Sequence, residues 1–254
     1  MKPDQRRQAI LAWARRSGRV EVSDLGDELG VAQETVRRDL GVLAAQGLLR
    51  RVRGGAFPVE TAAFESGMSY RSQTNVAQKR RIASEAVARV GEAETVFVDE
   101  GFTPQLVATD LAALERPLTV VTASLSAAAA LAECSWVTTI LLGGRIRHRT
   151  LGAVGAVTTT QLGGLVVDLA YLGANGVSRQ YGLTTPDPAV AAVKAQAMAS
   201  ARRHIFIGTY AKFGVSSLHR FAEVRDFEVL VTDTGLSASE AQRYVALGTD
   251  VVRV

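Results

Sequence analysis

Between residues 75 and 254, short unbroken runs of β-branched and aliphatic residues alternate with longer helical stretches. The runs are Thr95-Val96-Phe97-Val98-Asp99, Leu118-Thr119-Val120-Val121-Thr122, residues 138–142, 167–172 and 204–208, Val229-Leu230-Val231-Thr232, and residues 250–254. The helical stretches cover 75–90, 103–114, 124–133, a short piece near 157–162, 188–203 and 237–247. A strand with one wet face alternates apolar and polar residues, whereas one that is apolar throughout is buried on both faces. Strands of the second kind, separated by helices, predict a mostly parallel sheet with helices on both sides, a Rossmann-like α/β domain.

The first fifth of the chain is different. Residues 1–56 carry 11 Lys/Arg and 7 Asp/Glu, while the remainder is balanced at 18 of each, so all of the net +4 lies near the N-terminus. That asymmetry favours a small module touching a polyanion, joined to a neutral body. Hydrophobic content of 47% supports packed cores in both. Cys134 is the one cysteine, which excludes an internal disulfide and reads as a core residue; His148, His204 and His219 are scattered, so neither a metal nor another cofactor is expected. Residues 1–19 mix charge throughout, unlike a signal peptide, and the alanine-rich stretch 123–132 is too short to span a bilayer. The expectation is a soluble cytoplasmic protein with no membrane partner.

Within the basic module, residues 3–16 read as a first helix stopped by Gly18, and residues 19–22 as a short strand. Ser23 is the expected N-cap of a second helix over 24–29. Gly30 supplies a turn, and a third helix runs over 32–46 to Gly47. Residues 48–52 are extended, Arg53-Gly54-Gly55-Ala56 turns, and Phe57-Pro58 leads away. On the third helix Val36, Leu40 and Leu43 share one face and leave Gln33, Thr35, Arg37 and Arg38 for contacts. An apolar back with a basic front suits the major groove, where arginine reaches phosphates or pairs with guanine. Three helices followed by a basic hairpin form a winged helix-turn-helix, with Arg50, Arg51 and Arg53 of the wing against phosphates or a neighbouring minor groove. Winged helices also serve as protein-interaction modules; the placement of charge favours DNA.

Glu21-Val22-Ser23-Asp24-Leu25, Thr35-Val36-Arg37-Arg38-Asp39-Leu40 and Leu48-Leu49-Arg50-Arg51-Val52-Arg53-Gly54-Gly55-Ala56 resemble, in order and spacing, the N-terminal signature of the DeoR family of bacterial repressors. Ala32 stands where that family has an N-capping serine, and Arg53 where it has a wing histidine. Lys79, Ile82 and Ala83, Asp99, Gly101 and Thr103, Thr122 and Ser124, Gly143-Gly144, Gly176, Gly182-Leu183-Thr184-Thr185, Lys194, Lys212-Phe213-Gly214 and Thr232-Asp233 resemble the family's C-terminal sensor domain, related in fold to ribose-5-phosphate isomerase and the CoA transferases. This resemblance spans residues 64–233. It implies that a phosphorylated sugar or sugar-like metabolite bound there alters operator affinity, that the domain drives oligomerisation, and that Phe64-Glu65 and Arg71 orient the two domains.

In parallel sheets ligands bind beyond the carboxyl ends of the strands. Polar and glycine residues gather there, at residues 99–103, Thr122-Ala123-Ser124, Gly143-Gly144-Arg145, residues 173–176 and Tyr210-Ala211-Lys212. Backbone N–H groups near Gly101, Thr103 and Ser124 suit an anion, and Arg145 and Lys212 add positive charge. Together with the resemblance, the expected effector residues are Asp99, Gly101, Thr103, Thr122, Ser124, Gly143, Gly144, Arg145, Asn175, Gly176, Lys194 and Lys212. Phe102, Ala123, Asn175 and Thr209 replace polar groups of the family pattern (a threonine, an asparagine and two acids), which points to a less hydroxylated or unphosphorylated effector, or to a lost ligand response. An isomerase or transferase carrying a DNA-binding module is the competing reading. Asp99 and Glu100 are the only carboxylates in the first loop, and nothing in the sequence pairs them as acid and base, so no enzyme is expected. The chain is read as a regulator of sugar-related genes, a repressor by its family resemblance, with a DNA-binding domain at 1–57, a linker at 58–73 and a sensing and oligomerisation domain at 74–254. Its partners would be double-stranded operator DNA, a small effector, and further copies of itself in a dimer or tetramer.

Overall fold

The computed structural model of the chain describes residues 2–17, 19–46, 48–58 and 67–254. Gly18, Gly47, Phe64 and Glu65 lie outside the described residues, as does the side chain of Arg50.

The N-terminal unit runs α1 (Pro3–Ser17), β1 (Val20–Glu21), α2 (Val22–Leu29), α3 (Gln33–Ala45), β2 (Leu49–Val52) and β3 (Gly55–Pro58). Ile10, Ala14, Leu25, Val36, Leu40, Leu43 and Leu49 close a small core of its own. Gly30 ends α2 with φ 61° and ψ 38°, and Val31 N–H returns to the Gly26 carbonyl at 3.0 Å, which sets the sharp turn into α3. Three local expectations change. Glu21, not Ser23, precedes α2, because β1 draws Val20 and Glu21 into pairing with Ala56 and Gly55. The wing's Gly54 carbonyl then accepts from Val22 N–H at 2.8 Å, and Ser23 Oγ donates to Asp24 instead. The wing turn is also shorter than four residues: Gly55 and Ala56 already pair with Val52 and Arg51, and Phe57 and Pro58 continue β3. Asp39, on the buried side of α3, accepts from Arg6 Nε at 2.5 Å and Arg7 Nε at 2.9 Å and so fastens α1 to α3.

A single turn, α4 (Met68–Arg71), docks through Met68 N–H on the Arg149 carbonyl at 2.9 Å. The larger unit follows as α5 (Val76–Ala88), β4 (Thr95–Val98), α6 (Phe102–Ala112), β5 (Leu118–Thr122), α7 (Leu125–Leu131), β6 (Val137–Leu141), β7 (Arg145–Ile146), β8 (Ala153–Val154) and α8 (Ala156–Gly163). It continues with β9 (Val167–Leu172), β10 (Gly176–Ser178), β11 (Gly182–Thr185), α9 (Pro188–Ser200), β12 (Ala201–Ile207), β13 (His219–Ala222), β14 (Val229–Thr232), α10 (Ala238–Val245) and β15 (Asp250–Arg253). Seven strands form one parallel sheet in the order β15-β14-β12-β9-β4-β5-β6.

Successive side chains of a strand point to opposite faces, so an apolar run feeds two cores. Val96, Val98, Leu169, Tyr171, Ile205, Ile207, Val229 and Val231 pack with Ile82 of α5, Val107 of α6 and Ala127 of α7. Phe97, Ala170, Leu172, Phe206 and Leu230 pack with Leu162 of α8, Val190 and Ala197 of α9 and Tyr244 of α10. The β10-β11-β13 sheet, antiparallel and absent from the sequence reading, joins the second core through Val177, Leu183 and Phe221.

Candidate functional site

The sequence-ordered strands β4, β5 and β6 extend one way from the middle of the sheet, while β9, β12, β14 and β15 extend the other. The order reverses between β4 and β9, and a crevice opens at such a switch point beyond the carboxyl ends of the strands. A cavity of about 200 Å³ lies there, among the loops that follow β4, β9 and β12. Gly101, Thr103, Asn175, Lys194 and Lys212 line it, together with Arg71, Thr74, Asn75, Lys79, Glu100, Phe102, Ile207 and Thr209.

Two helix N-termini meet the cavity. Gly101 precedes α6 with φ 117°, a conformation that favours glycine, and Asn75 precedes α5 in the left-handed region, which asparagine tolerates. Their first-turn N–H groups and Lys79, Lys194, Lys212 and Arg71 make the wall predominantly positive. Lys79 Nζ sits 5.6 Å from the Phe102 ring centroid and donates to the Arg71 carbonyl at 2.6 Å, tying α5 to the end of α4.

Below the floor, Lys194 Nζ donates to Asp99 Oδ2 and, at 3.0 Å, to the Gly173 carbonyl; Gly173 N–H donates to the same Asp99 oxygen at 2.9 Å. Asp99 therefore positions Lys194 and is not itself on the cavity wall. Glu100 is held by Arg147 Nη1 at 3.2 Å and by Thr150 Oγ1 at 2.5 Å, and Arg147 Nε reaches Asp187 at 3.2 Å. With both carboxylates engaged by cations, neither is poised as a general base.

The remaining expected effector residues stand elsewhere. Thr122 is fully buried and donates to the Val98 carbonyl at 2.6 Å; Ser124 is fully buried and caps α7 through Ala127 N–H at 3.2 Å. Gly143 N–H donates to Gln161 Oε1 at 2.8 Å, its carbonyl accepts from Thr158 Oγ1 at 2.7 Å, and Gly144 and Arg145 are exposed beside it. Gly176 lies in β10. None of these six lines the cavity. For the five at or after the ends of β5 and β6 the reason is topological: those strands lie one and two places out from the switch point, and the segment through β7 and β8 folds over the β5 end, pairing Ala153 N–H with the Ala123 carbonyl and Leu125 N–H with the Leu151 carbonyl.

On the DNA-reading side, Gln33, Arg37 and Arg38 are exposed, Thr35 is half-buried, and Val36, Asp39 and Leu40 face inward. Arg37 is held near Glu34 at 3.3 Å and Gln33 at 3.4 Å. Ala32 contributes no side-chain cap. Arg51 and Arg53 are exposed on the wing, and Arg19 stacks over Phe57 at 5.4 Å.

A DeoR-like helix-turn-helix domain is matched over residues 6–62, and a DeoR C terminal sensor domain over residues 74–234. The chain belongs to the DeoR family. The "HTH-type transcriptional regulator GlpR" of Haloferax volcanii is 31% identical over 252 residues, covering 99% of this chain and 98% of that protein. The "Uncharacterized HTH-type transcriptional regulator FruR" of Bacillus subtilis is 30% identical over 92% of each chain, and the "Glycerol-3-phosphate regulon repressor" of Escherichia coli is 28% identical over 92% of each. Among solved structures, a ribose 5-phosphate isomerase from Methanocaldococcus jannaschii overlaps 55% of each chain with 17% identity and a TM-score of 0.41. As a DeoR-family member the protein is a DNA-binding transcriptional regulator with a sensor domain, not an enzyme; operator DNA and a small-molecule effector are its partners. No described helix is long and apolar enough to cross a membrane.

Sequence reasoning placed Arg71 at the domain connection and Lys79 in the sensor domain but brought neither to the cavity. Their signal was available: Lys79 is four residues past Asn75, one turn into α5, whose N-terminus meets the cavity. What the sequence could not supply was the β4–β9 adjacency that puts α5 and the connector beside Asn175.

Proposed function

We propose that this regulator represses genes of sugar-related metabolism and is released from its operator when a small phosphorylated metabolite enters the cavity. The observation that carries the reading is the convergence of two helix N-termini with Lys79, Lys194, Lys212 and Arg71 on one cavity at the switch point. Backbone N–H groups at helix starts and flexible ammonium groups are the usual holders of phosphate. Relatives named as glycerol-3-phosphate regulon repressors support this chemistry. Gly101, Thr103, Asn175, Lys194 and Lys212, joined by Arg71, Lys79 and Thr209, form the effector site, with Asp99 positioning Lys194.

On DNA, Gln33, Thr35, Arg37 and Arg38 of α3 enter the major groove, and Arg50, Arg51 and Arg53 hold phosphates. Residues 1–57 act as the DNA-binding domain, 58–73 as the linker and 74–254 as the sensing and oligomerisation domain. A homodimer or tetramer in the cytoplasm places paired wings on a repeated site. Since Arg71 belongs to the linker and lines the cavity, effector and operator equilibria are linked through the linker's position.

The test pairs thermal shift with operator release. Sugar phosphates are screened against their dephosphorylated parents, and each compound that raises the melting temperature is added to the operator complex. Phosphorylated compounds are expected to do both. A shift by the unphosphorylated parents alone would remove the phosphate reading.

A further inference from the structure

Asn175 closes part of the cavity wall and is only 7% exposed. Its Oδ1 accepts from Thr185 Oγ1 at 3.1 Å, and the Thr185 side chain is wholly buried. The other end of the amide is unsatisfied. Asn175 Nδ2 is sealed from solvent and has no hydrogen-bond partner among the described residues. A buried donor without an acceptor is destabilising, and a ligand that supplies the acceptor recovers that energy on binding.

The neighbouring groups limit what that acceptor is. The Gly173 carbonyl already takes Lys194 Nζ, and Asn175 Oδ1 already takes Thr185. A ligand hydroxyl placed at Nδ2 has to direct its own hydrogen to an acceptor as well. A carboxylate oxygen has lone pairs only and no such demand. Phe102 and Ile207 add apolar wall beside the polar Thr74, Asn75, Thr103 and Thr209. Apart from Glu100, itself paired with Arg147, the charged side chains on the wall are cationic.

Resting on the anion-binding reading of this cavity, we propose that the effector is a phosphorylated carboxylic acid rather than a phosphorylated polyol, with its carboxylate accepting from Asn175 Nδ2. The phosphate lies at the α5 and α6 N-termini with Lys79 and Arg71, and the carboxylate toward Asn175 and Lys194. Asn175 is thus the residue that sets specificity between effectors of equal size.

Two matched pairs test this on the full chain by calorimetric titration: 3-phosphoglycerate against glycerol 3-phosphate, and 6-phosphogluconate against sorbitol 6-phosphate. Members of a pair differ chiefly in the oxidation state of one carbon. The wild type is expected to bind the acid of at least one pair about tenfold more tightly, the scale of one hydrogen bond to a charged group. Asn175→Ala should erase the preference and Asn175→Asp, which places a carboxylate opposite a carboxylate, should reverse it. Apo melting curves confirm that both variants fold. If Asn175→Ala keeps the wild-type preference, the selectivity comes from the extra charge alone and the proposal is overturned. Equal binding of both members by the wild type overturns the proposal and leaves the phosphate cavity standing. Binding of none of the four compounds overturns both.

Discussion

Lys194 and Asp99 form a buried ion pair at the cavity floor, with side chains 5% and 2% exposed. It joins α9 to the end of β4 across the switch point, so the cavity floor depends on it. Removing one partner strands the other charge in a site where water cannot replace it. Lys194→Met is expected to cost about 3–5 kcal/mol in urea unfolding of the sensor domain. The Asp99→Asn/Lys194→Met double variant should recover much of that loss. A double variant as unstable as the sum of the two single changes would mean that the pair is not the reason.

The Asp39 carboxylate serves the same purpose in the smaller unit, where it collects Arg6 and Arg7 from α1. Asp39→Ala removes the shared carboxylate from the back of the reading helix and leaves Arg7 only its exposed contact with Asp4. We expect α1 and α3 to open together, so that their amide hydrogens exchange faster while those of β4, β9 and β12 do not change. Uniform acceleration across the whole chain would place the damage elsewhere.

Arg37 and Arg38 project from α3 away from its core. If either reads a base, its replacement by alanine should cost about 1–3 kcal/mol of operator binding and relax specificity at one position. If it holds phosphate, binding should weaken on all sequences and the slope of log K against log salt should fall by about 1. Binding titrations at several salt concentrations separate the two. Unchanged binding in both variants would mean that this face does not meet DNA.

The parallel sheet was legible because its inner strands are largely buried on both faces: Val167–Leu172 and Val229–Thr232 are bounded in the structure where the predicted runs begin and end. The antiparallel β10, β11 and β13 were not, since Gly182–Thr185 and His219–Ala222 are short and carry no unbroken apolar run. The loops that bear the cavity were found, but too many were found. The parallel strands from β4 to β14 end in polar loops, and only the strand order tells which loops face the switch point. That order rests on the pairing of Val96 with Leu169, 73 residues apart, which no local pattern encodes.

Ala32 begins α3 in an extended conformation, φ −59° and ψ 142°, with no side-chain bond to the first turn. The geometry already suits a capping hydroxyl. Ala32→Ser should stabilise the helix-turn-helix by about 0.5–1 kcal/mol without altering the turn at Gly30. The gain is read as a higher unfolding midpoint for that unit. No gain would show that the Thr35 N–H bond to the Ala32 carbonyl, at 2.9 Å, already satisfies this end.

Asp168, at the start of β9, accepts from Thr95 Oγ1 at 2.8 Å, Thr95 N–H at 3.0 Å and Glu94 N–H at 3.1 Å. The Thr95 hydroxyl is the largest cause, and with the backbone donors it holds the Asp168 carboxyl below the usual carboxylate range. A depressed carboxylate stabilises the fold in its ionised form. Its contribution is full above the unfolded carboxylate pKa, near 4, and is lost as pH falls through the lower folded value. Asp168→Asn keeps the shape but lacks the titrating charge. Wild type should therefore be the more stable at about pH 6, and the gap should close as the pH drops below about 4. The side chain is partly exposed, so the effect is modest and is best read as the pH dependence of the difference in melting temperature. A gap that stays constant from neutral pH into acid would show that Asp168 acts there by shape and not by charge.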